Sequence, residues 1–544
     1  MKKMFTPYWM ALGAGLALVQ AAQLVCAAVI HPGTALVEEA PLRAHLAFLS
    51  SDLLEGRGTG QRGGELTMAY LEAQARALGL QPADGNSYRQ PVQIAGTKAL
   101  PQHSSVHLES GRQPLALNFG DDWVWNLGDA QPEHQFDNEV VFVGYGINAP
   151  EENWDDYKAV DCNGKVLIMM VNDPQATEQE PERFGGKALT YYGRWSYKYE
   201  EAKRRGAAGV LLIHTDASAT YGWSVVKNGG TSESFQLSGG KGGNRFQGWL
   251  SEAAARRLFS AAGQDLDSLR AAAERKDFTP VRLAARLKGQ AKSTVRKIEQ
   301  FNIAGIVPGS DAQLKDELVI YSAHWDHLGK QEGTGDVIYN GAVDNASGSA
   351  GLLAMAKAAL AAPAKRSQMF LWVAAEEQGL LGSAAYAANP LWPLAKTAAN
   401  LNLDALNFIG MTRDIGVQGS ERSELGGMAA KVAQQMQMQI APAKPDLGGG
   451  YFRSDHFSFA KAGVPAFSVG SGRDFISDPQ AAAAKSLAYR QRYHQVSDEY
   501  DPSWDLSGMR QQAQFTLNLG RAIADAAVMP GWKNGDPFGQ LRKK

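Results

Sequence analysis

From Asn302 onward the chain repeats strand, loop and helix, and its short apolar runs read as buried strands. Leu318-Val319-Ile320-Tyr321 and Met369-Phe370-Leu371-Trp372-Val373 are continuous and rich in β-branched or aromatic residues, which favours strand over helix. Asn400-Leu401-Asn402-Leu403 and Val464-Pro465-Ala466-Phe467-Ser468-Val469 continue the series. Helices are predicted between them, one over Ala346 to Ala361 with capping groups in Asp344, Asn345 and Ser347, another around Ser383 to Ala388. Alternation of this kind predicts an α/β fold, a mainly parallel central sheet with helices on both faces.

The residues just beyond these strands carry the chemistry. Ala323-His324-Trp325-Asp326-His327 follows the first strand, Gly341-Ala342-Val343-Asp344-Asn345 lies in the next loop, and Ala374-Ala375-Glu376-Glu377 follows the second strand. In open sheets ligands bind outside the carboxyl ends of the strands. The candidates are His324, Asp326, Asp344, Glu376, Glu377, Asp404 and His494. Imidazole and carboxylate without thiolate suit zinc or a similar divalent ion in a catalytic site. Three carboxylate ligands and a hydroxide balance two divalent cations, whereas around one ion the same set is strongly anionic. Asp344, on a Gly- and Ala-rich turn, is the economical bridge between two ions.

Adjacent Glu376 and Glu377 leave an extended segment in alternate directions, so one can bind metal while the other faces water. Metal-assisted hydrolysis needs that division: a water acidified to a pKa of about 7 and a carboxylate to take its proton. Each candidate has a bland reading by itself: a buried histidine, a helix cap, an exposed Glu pair, a turn aspartate, a surface imidazole. Together, in one order at consecutive strand ends, they point to a site.

A chain of 544 residues predicts two domains or one with a large insertion. His45 to Leu49 and Glu65 to Leu78 read as helices, with turn chemistry at Glu55-Gly56-Arg57-Gly58-Thr59-Gly60 between them and a glycine cap at Gly79. From about residue 90 to 290 strand-like runs alternate with Gly-, Asn- and Asp-rich turns around one predicted helix, Tyr197 to Arg205, which reads as a separate β-rich module. Net charge is −2 with no long basic run, which argues against nucleic acid or an anionic membrane surface as partner. Lys2, Lys3, the apolar stretch from Trp9 to Val25 and Cys26-Ala27-Ala28 have the layout of a secretory signal over residues 1–28. Gln20 and Gln23 interrupt a stretch already short for a span, so the expectation is an exported chain, periplasmic or secreted, with no stable membrane insertion after cleavage. Cys162 is then the one remaining cysteine, which precludes an internal disulfide.

At this point the motifs carry a resemblance. Ser322 to Gly329, Gly341 to Gly348, Glu376 to Ser383, Asn402-Leu403-Asp404, Arg453-Ser454-Asp455-His456 and Tyr493-His494 resemble the successive motifs of the two-zinc aminopeptidase Y and bacterial leucyl aminopeptidase family, which also includes glutamate carboxypeptidase and the transferrin receptor. The resemblance implies a zinc-exopeptidase fold and two zinc ions per chain, one held by His324, Asp344 and Asp404, the other by Asp344, Glu377 and His494. It implies hydrolysis by a metal-bridging hydroxide with Glu376 as general base, and Asp326 as the carboxylate fixing the His324 tautomer. Tyr493 takes the position of an oxyanion-stabilising tyrosine, Arg453 that of an arginine near the substrate, and the Asp344-Asn345 bond that of a cis peptide. His327 and His456 are given structural roles. Phe142 to Gly146 and Arg205 to Val210 resemble the protease-associated domain inserted in many such enzymes, which implies a cover over the cleft. The implied division is signal 1–28, N-terminal peptidase part and lead-in strands 29–133, protease-associated domain 134–288 and catalytic domain 289–544.

The expected activity is removal of N-terminal residues from peptides with a free N-terminus. The alternatives are a carboxypeptidase of the same family, a receptor-like protein with a dead site, and a one-zinc glutaminyl cyclase, for which His324 would be superfluous. Glu376 and Asp404 at the rim suit an α-ammonium, whereas Arg453, with Arg492 beyond it, offers few cations for an acidic substrate. No Gly-x-Ser-x-Gly elbow, phosphate-binding glycine loop or His-Glu-x-x-His helix is found.

Overall fold

Successive side chains of the strand Leu318–His324 point to opposite faces of the sheet, and each face has its own apolar cluster. Val319, Tyr321 and Ala323 meet Leu42 and Leu46 of helix Glu39–Leu49, the apolar residues of helix Ser347–Ala361, and Met509 and Ala513 of helix Ser507–Asp525. Leu318 and Ile320 join Tyr386 of helix Leu381–Ala388 and Phe459 of helix His456–Lys461 on the other face. Strand Ser367–Val373 repeats the division, Phe370 and Trp372 against Met369, Leu371 and Val373. Cover on both faces is why these runs are apolar throughout. The computed structural model describes residues 35–158, 160–219, 222–238 and 244–542; the expected signal at 1–28 lies outside them.

Strands Ala466–Ser468, Thr397–Asn402, Leu318–His324 and Ser367–Val373 lie side by side in that order, all parallel. Antiparallel neighbours follow: the 27-residue strand Val281–Val307, and Arg89–Ala99 against it. Register sets the level at which chemistry emerges. His324 pairs with Val373 and Ser322 with Asn402, so Asp404, two residues past Asn402, leaves its strand level with His324.

Val281–Val307 belongs to two sheets. Its residues 303–307 pair with Ser367–Val373, and residues 281–292 pair with Glu133–Phe142, so the boundary expected at 288/289 falls inside one strand. Beyond it Glu133–Phe142, Val166–Met170, Gly209–His214 and Phe246–Ser251 run parallel, with Trp123–Asn126 antiparallel at the edge. Trp123–Asn126, and His107–Ser110 against Val281–Val307, put the start of this sheet before residue 134. Helices Trp195–Arg204, Trp223–Thr231, Glu252–Ala261 and Leu266–Ala273 accompany the strands, where the sequence predicts one. The latter two are N-capped by the side chains of Ser251 and Asp265.

Helix Arg62–Leu78 ends as predicted at Gly79, which takes φ 85° and caps Ala75 and Arg76. Cys162 is buried and free. Among the described residues no helix is long and apolar enough to cross a membrane.

Candidate metal centre

Five segments converge beyond the parallel strands. His324 closes its strand and is 1% exposed; its Nδ1 lies 3.1 Å from the main-chain oxygen of Asp326, which directs Nε2 into the site. That Nε2 is 3.2 Å from Asp344 Oδ1 and 3.4 Å from Asp404 Oδ1. Asp344 Oδ2, on the other side of the same carboxylate, is 3.1 Å from His494 Nε2, which is also 3.3 Å from Glu377 Oε2. One aspartate thus faces two imidazoles, one with each oxygen.

The local chain explains these directions. Gly341 at φ 56° turns the loop tightly, and the Asp344-Asn345 peptide is cis. A Cβ at Gly341 would sit 2.2 Å from the Asp344 oxygen, so only glycine fits. Asn345 accepts the Gly348 N–H at 2.9 Å and so does the capping expected of the loop, whereas Asp344 turns into the site and Ser347 donates to Val343 O at 2.6 Å. Asp498, absent from the sequence reading, accepts the N–H groups of Val343 and Asp344 at 3.3 and 3.2 Å and holds the loop from behind.

At the second strand end, Ala375 takes φ 52° and breaks the extended path before the glutamates. The Asp326 carboxylate accepts the N–H of Glu376 at 3.0 Å and of Glu377 at 3.3 Å. Its nearer oxygen is 3.8 Å from His324 Nδ1, so Asp326 orients the imidazole through its main chain and the Glu pair through its side chain. The two glutamates then diverge. A Glu376 carboxylate oxygen gathers with His324 and Asp404, while Glu377 gathers with His327, Asp344 and His494, each group within 4.8 Å. His327 Nδ1, 2.6 Å from Glu377 Oε1, fixes the outer oxygen and leaves Oε2 to the site, a contact unreadable from sequence. Ser454 donates to Asp404 Oδ2 at 2.6 Å and leaves Oδ1 to face His324.

Tyr493 is half exposed and stacks on His494, ring centroids 3.9 Å apart. Arg453 is exposed, one residue from Ser454. His456 is buried with its ring 4.9 Å from that of Tyr451.

Electrostatics express the crowding of carboxylates. Burial works to raise Asp344, but hydrogen bonds from His324 and His494 hold it well below the usual carboxylate range. Burial raises Glu376 well above its ordinary value, with the charges of Asp404, Glu377 and Asp455 adding to it against His324. Burial lowers His494, yet Asp344 and Glu377 carry it up to about 10. A donor set of imidazole and carboxylate oxygens, converging in two groups that Asp344 joins, fits divalent cations of the zinc type.

Residues 302–518 match the model of Peptidase family M28. The matched stretch contains every candidate site residue from His324 to His494. Leucine aminopeptidase 1 of Arthroderma gypseum is 30% identical over 207 residues, 36% of this chain and 54% of that protein. Leucine aminopeptidase 2 of Trichophyton rubrum is 27% identical over 210 residues, 36% of this chain and 40% of that one. The chain spans about half the length of the curated relatives it matches. Among solved structures, the aminopeptidase from Aneurinibacillus sp. strain AM-1 aligns with TM-score 0.48 at 20% identity, covering 94% of this chain and 98% of that one. A zinc aminopeptidase from Bacillus subtilis aligns at TM-score 0.41 and 16% identity, over 89% and 94%.

Proposed function

We propose that this chain is an exported two-zinc exopeptidase that removes N-terminal residues from peptides. The observation that carries the reading is Asp344, whose Oδ1 faces His324 and whose Oδ2 faces His494. His324, Asp344 and Asp404 would hold one zinc, and Asp344, Glu377 and His494 the other. Bound zinc supplies Lewis acidity at the scissile carbonyl and lowers the pKa of water there.

The chain's own residues do the rest. Glu376, its amide tied to Asp326 and its carboxyl raised by burial, takes a proton from the attacking water and passes it to the leaving amine. Asp404 and Glu376 at the mouth receive the α-ammonium of the substrate. Tyr493, with its ring set by His494, is the hydroxyl candidate for the developing oxyanion, and Arg453 faces the peptide beyond it.

The protease-associated reading of the insert is supported by contacts with the loop before Arg453 and with helix His456–Lys461 after it. Leu189 N–H donates to Asp446 O at 2.9 Å, Tyr191 packs on Phe457 at 4.9 Å, and Glu200 pairs with Lys461 at 2.6 Å. An insert fastened there walls one side of the cleft and limits peptide length.

Digestion of one peptide in free, N-acetylated and C-amidated forms, followed by mass spectrometry, tests the reading. Free and amidated forms should lose N-terminal residues stepwise, and the acetylated form should persist. Loss from the C-terminal end of the acetylated peptide would make the enzyme a carboxypeptidase, and no cleavage in the presence of zinc would make it a receptor-like protein.

A further inference from the structure

Arg57 lies far outside the M28 match, in the stretch between helices Glu39–Leu49 and Arg62–Leu78 that reads as a plain turn. Its side chain is 1% exposed. Nε donates to Trp325 O at 2.8 Å, Nη1 to Leu49 O and Asn340 O at 2.6 Å each, and Nη2 to Gly341 O at 2.9 Å. Trp325 separates His324 from Asp326, while Asn340 and Gly341 lead directly into Asp344. One guanidinium therefore ties the end of the first strand to the loop that carries the shared carboxylate. Its main chain adds to the tie: Arg57 O accepts the His327 N–H at 3.4 Å, and Gly58 bridges to His327.

A buried arginine that saturates carbonyls can serve the fold alone. Here the carbonyls belong to the two segments whose relative position sets the His324–Asp344 distance, and the planar fork fixes both at once as a lysine could not. The carboxylates of Asp326, Asp344, Asp498 and Glu377 also act on it through space. A cation at this place lessens the repulsion among them.

We propose that Arg57 is a positioning residue of the metal centre, holding the segments of His324 and Asp344 in the geometry that receives divalent cations. The proposal rests on the metal-centre reading above. Groups that orient ligands from outside the coordination sphere are worth about 10–100-fold in metal affinity.

The test uses the full chain and its Arg57→Lys and Arg57→Gln variants, with zinc affinity read by chelator competition, the cobalt(II) absorption spectrum recorded, and kcat and KM measured separately. Variants whose metal-free melting shows them folded should bind zinc about 10–100-fold more weakly, with an altered cobalt spectrum, and Arg57→Lys should retain more than Arg57→Gln. Zinc affinity within twofold of the unaltered chain in both folded variants would overturn the proposal. A further arm needs no variant. If Arg57 and the centre are coupled, zinc loading of the unaltered chain should slow hydrogen exchange over residues 55–60, and unchanged exchange there would overturn the proposal too. Failure of the underlying reading is distinct: the unaltered chain itself would bind no zinc.

Discussion

Glu376 and Glu377 are adjacent in sequence but opposite in surroundings, so their glutamine variants are expected to fail in different ways. Glu376 gathers with His324 and Asp404, whereas Glu377 accepts from His327 at 2.6 Å and faces His494 at 3.3 Å. Glu376→Gln keeps size and shape and removes only the base. Loss of a positioned general base lowers kcat by about 10²–10⁴, which is about 2.7–5.4 kcal/mol of barrier. Zinc content should stay that of the unaltered chain, because His324, Asp344, Asp404, Glu377 and His494 are untouched. Glu377→Gln takes one carboxylate oxygen from the group around His494, so zinc content should fall and activity should return in part with excess zinc. The assay pairs kcat on an aminoacyl p-nitroanilide with zinc per chain by mass spectrometry. Retention of kcat within tenfold by Glu376→Gln, or loss of zinc from that variant rather than from Glu377→Gln, would refute the assignment.

Asp344→Ala should weaken both zinc ions together, since its two oxygens serve the two imidazoles; chelator titration that removes one class of ion only would contradict this. Burial lowers His456 to about 4, so the unfolded chain binds its proton first and stability falls as pH drops from about 6.5 toward 4, by about 3 kcal/mol at most. His456→Phe should flatten that part of the urea-midpoint profile, and an unchanged slope would assign the acid sensitivity elsewhere. Tyr191→Ala removes the ring packed on Phe457 and should raise kcat/KM for long peptides relative to dipeptides; an equal change at all lengths would separate the insert from length selection.

The parallel strands were legible, and with them His324, Glu376 and Asp404, because each of these follows an apolar run whose length and composition mark it as a strand. Asp344 in a loop and His494 after helix Pro479–Arg492 were instead found through the motifs they share with the family. Register was not legible: that Asp404 lies level with His324 depends on Ser322 pairing with Asn402, which no local pattern encodes. Alternation left open which glutamate faces which way, and the turn at Ala375 decides it. Arg57 and Asp498 stayed hidden for a shared reason. Apart from Leu49, the partners named for them are main-chain groups more than a hundred residues away, and such groups leave no trace in side-chain patterns. Asp326 was identified as a supporting carboxylate, but its partners are the amides of Glu376 and Glu377. Strand texture dominated the reading of the insert, because its short Ala-rich helix Glu252–Ala261 follows strand Phe246–Ser251 without a turn and only a few residues separate it from Leu266–Ala273.

The central claim is that Asp344 joins two metal sites. Anomalous diffraction at the zinc edge from crystals of the zinc-loaded chain tests it directly. The account predicts two peaks, one contacted by His324, Asp344 and Asp404 and the other by Asp344, Glu377 and His494. A single peak, or two peaks that do not share Asp344, would contradict it.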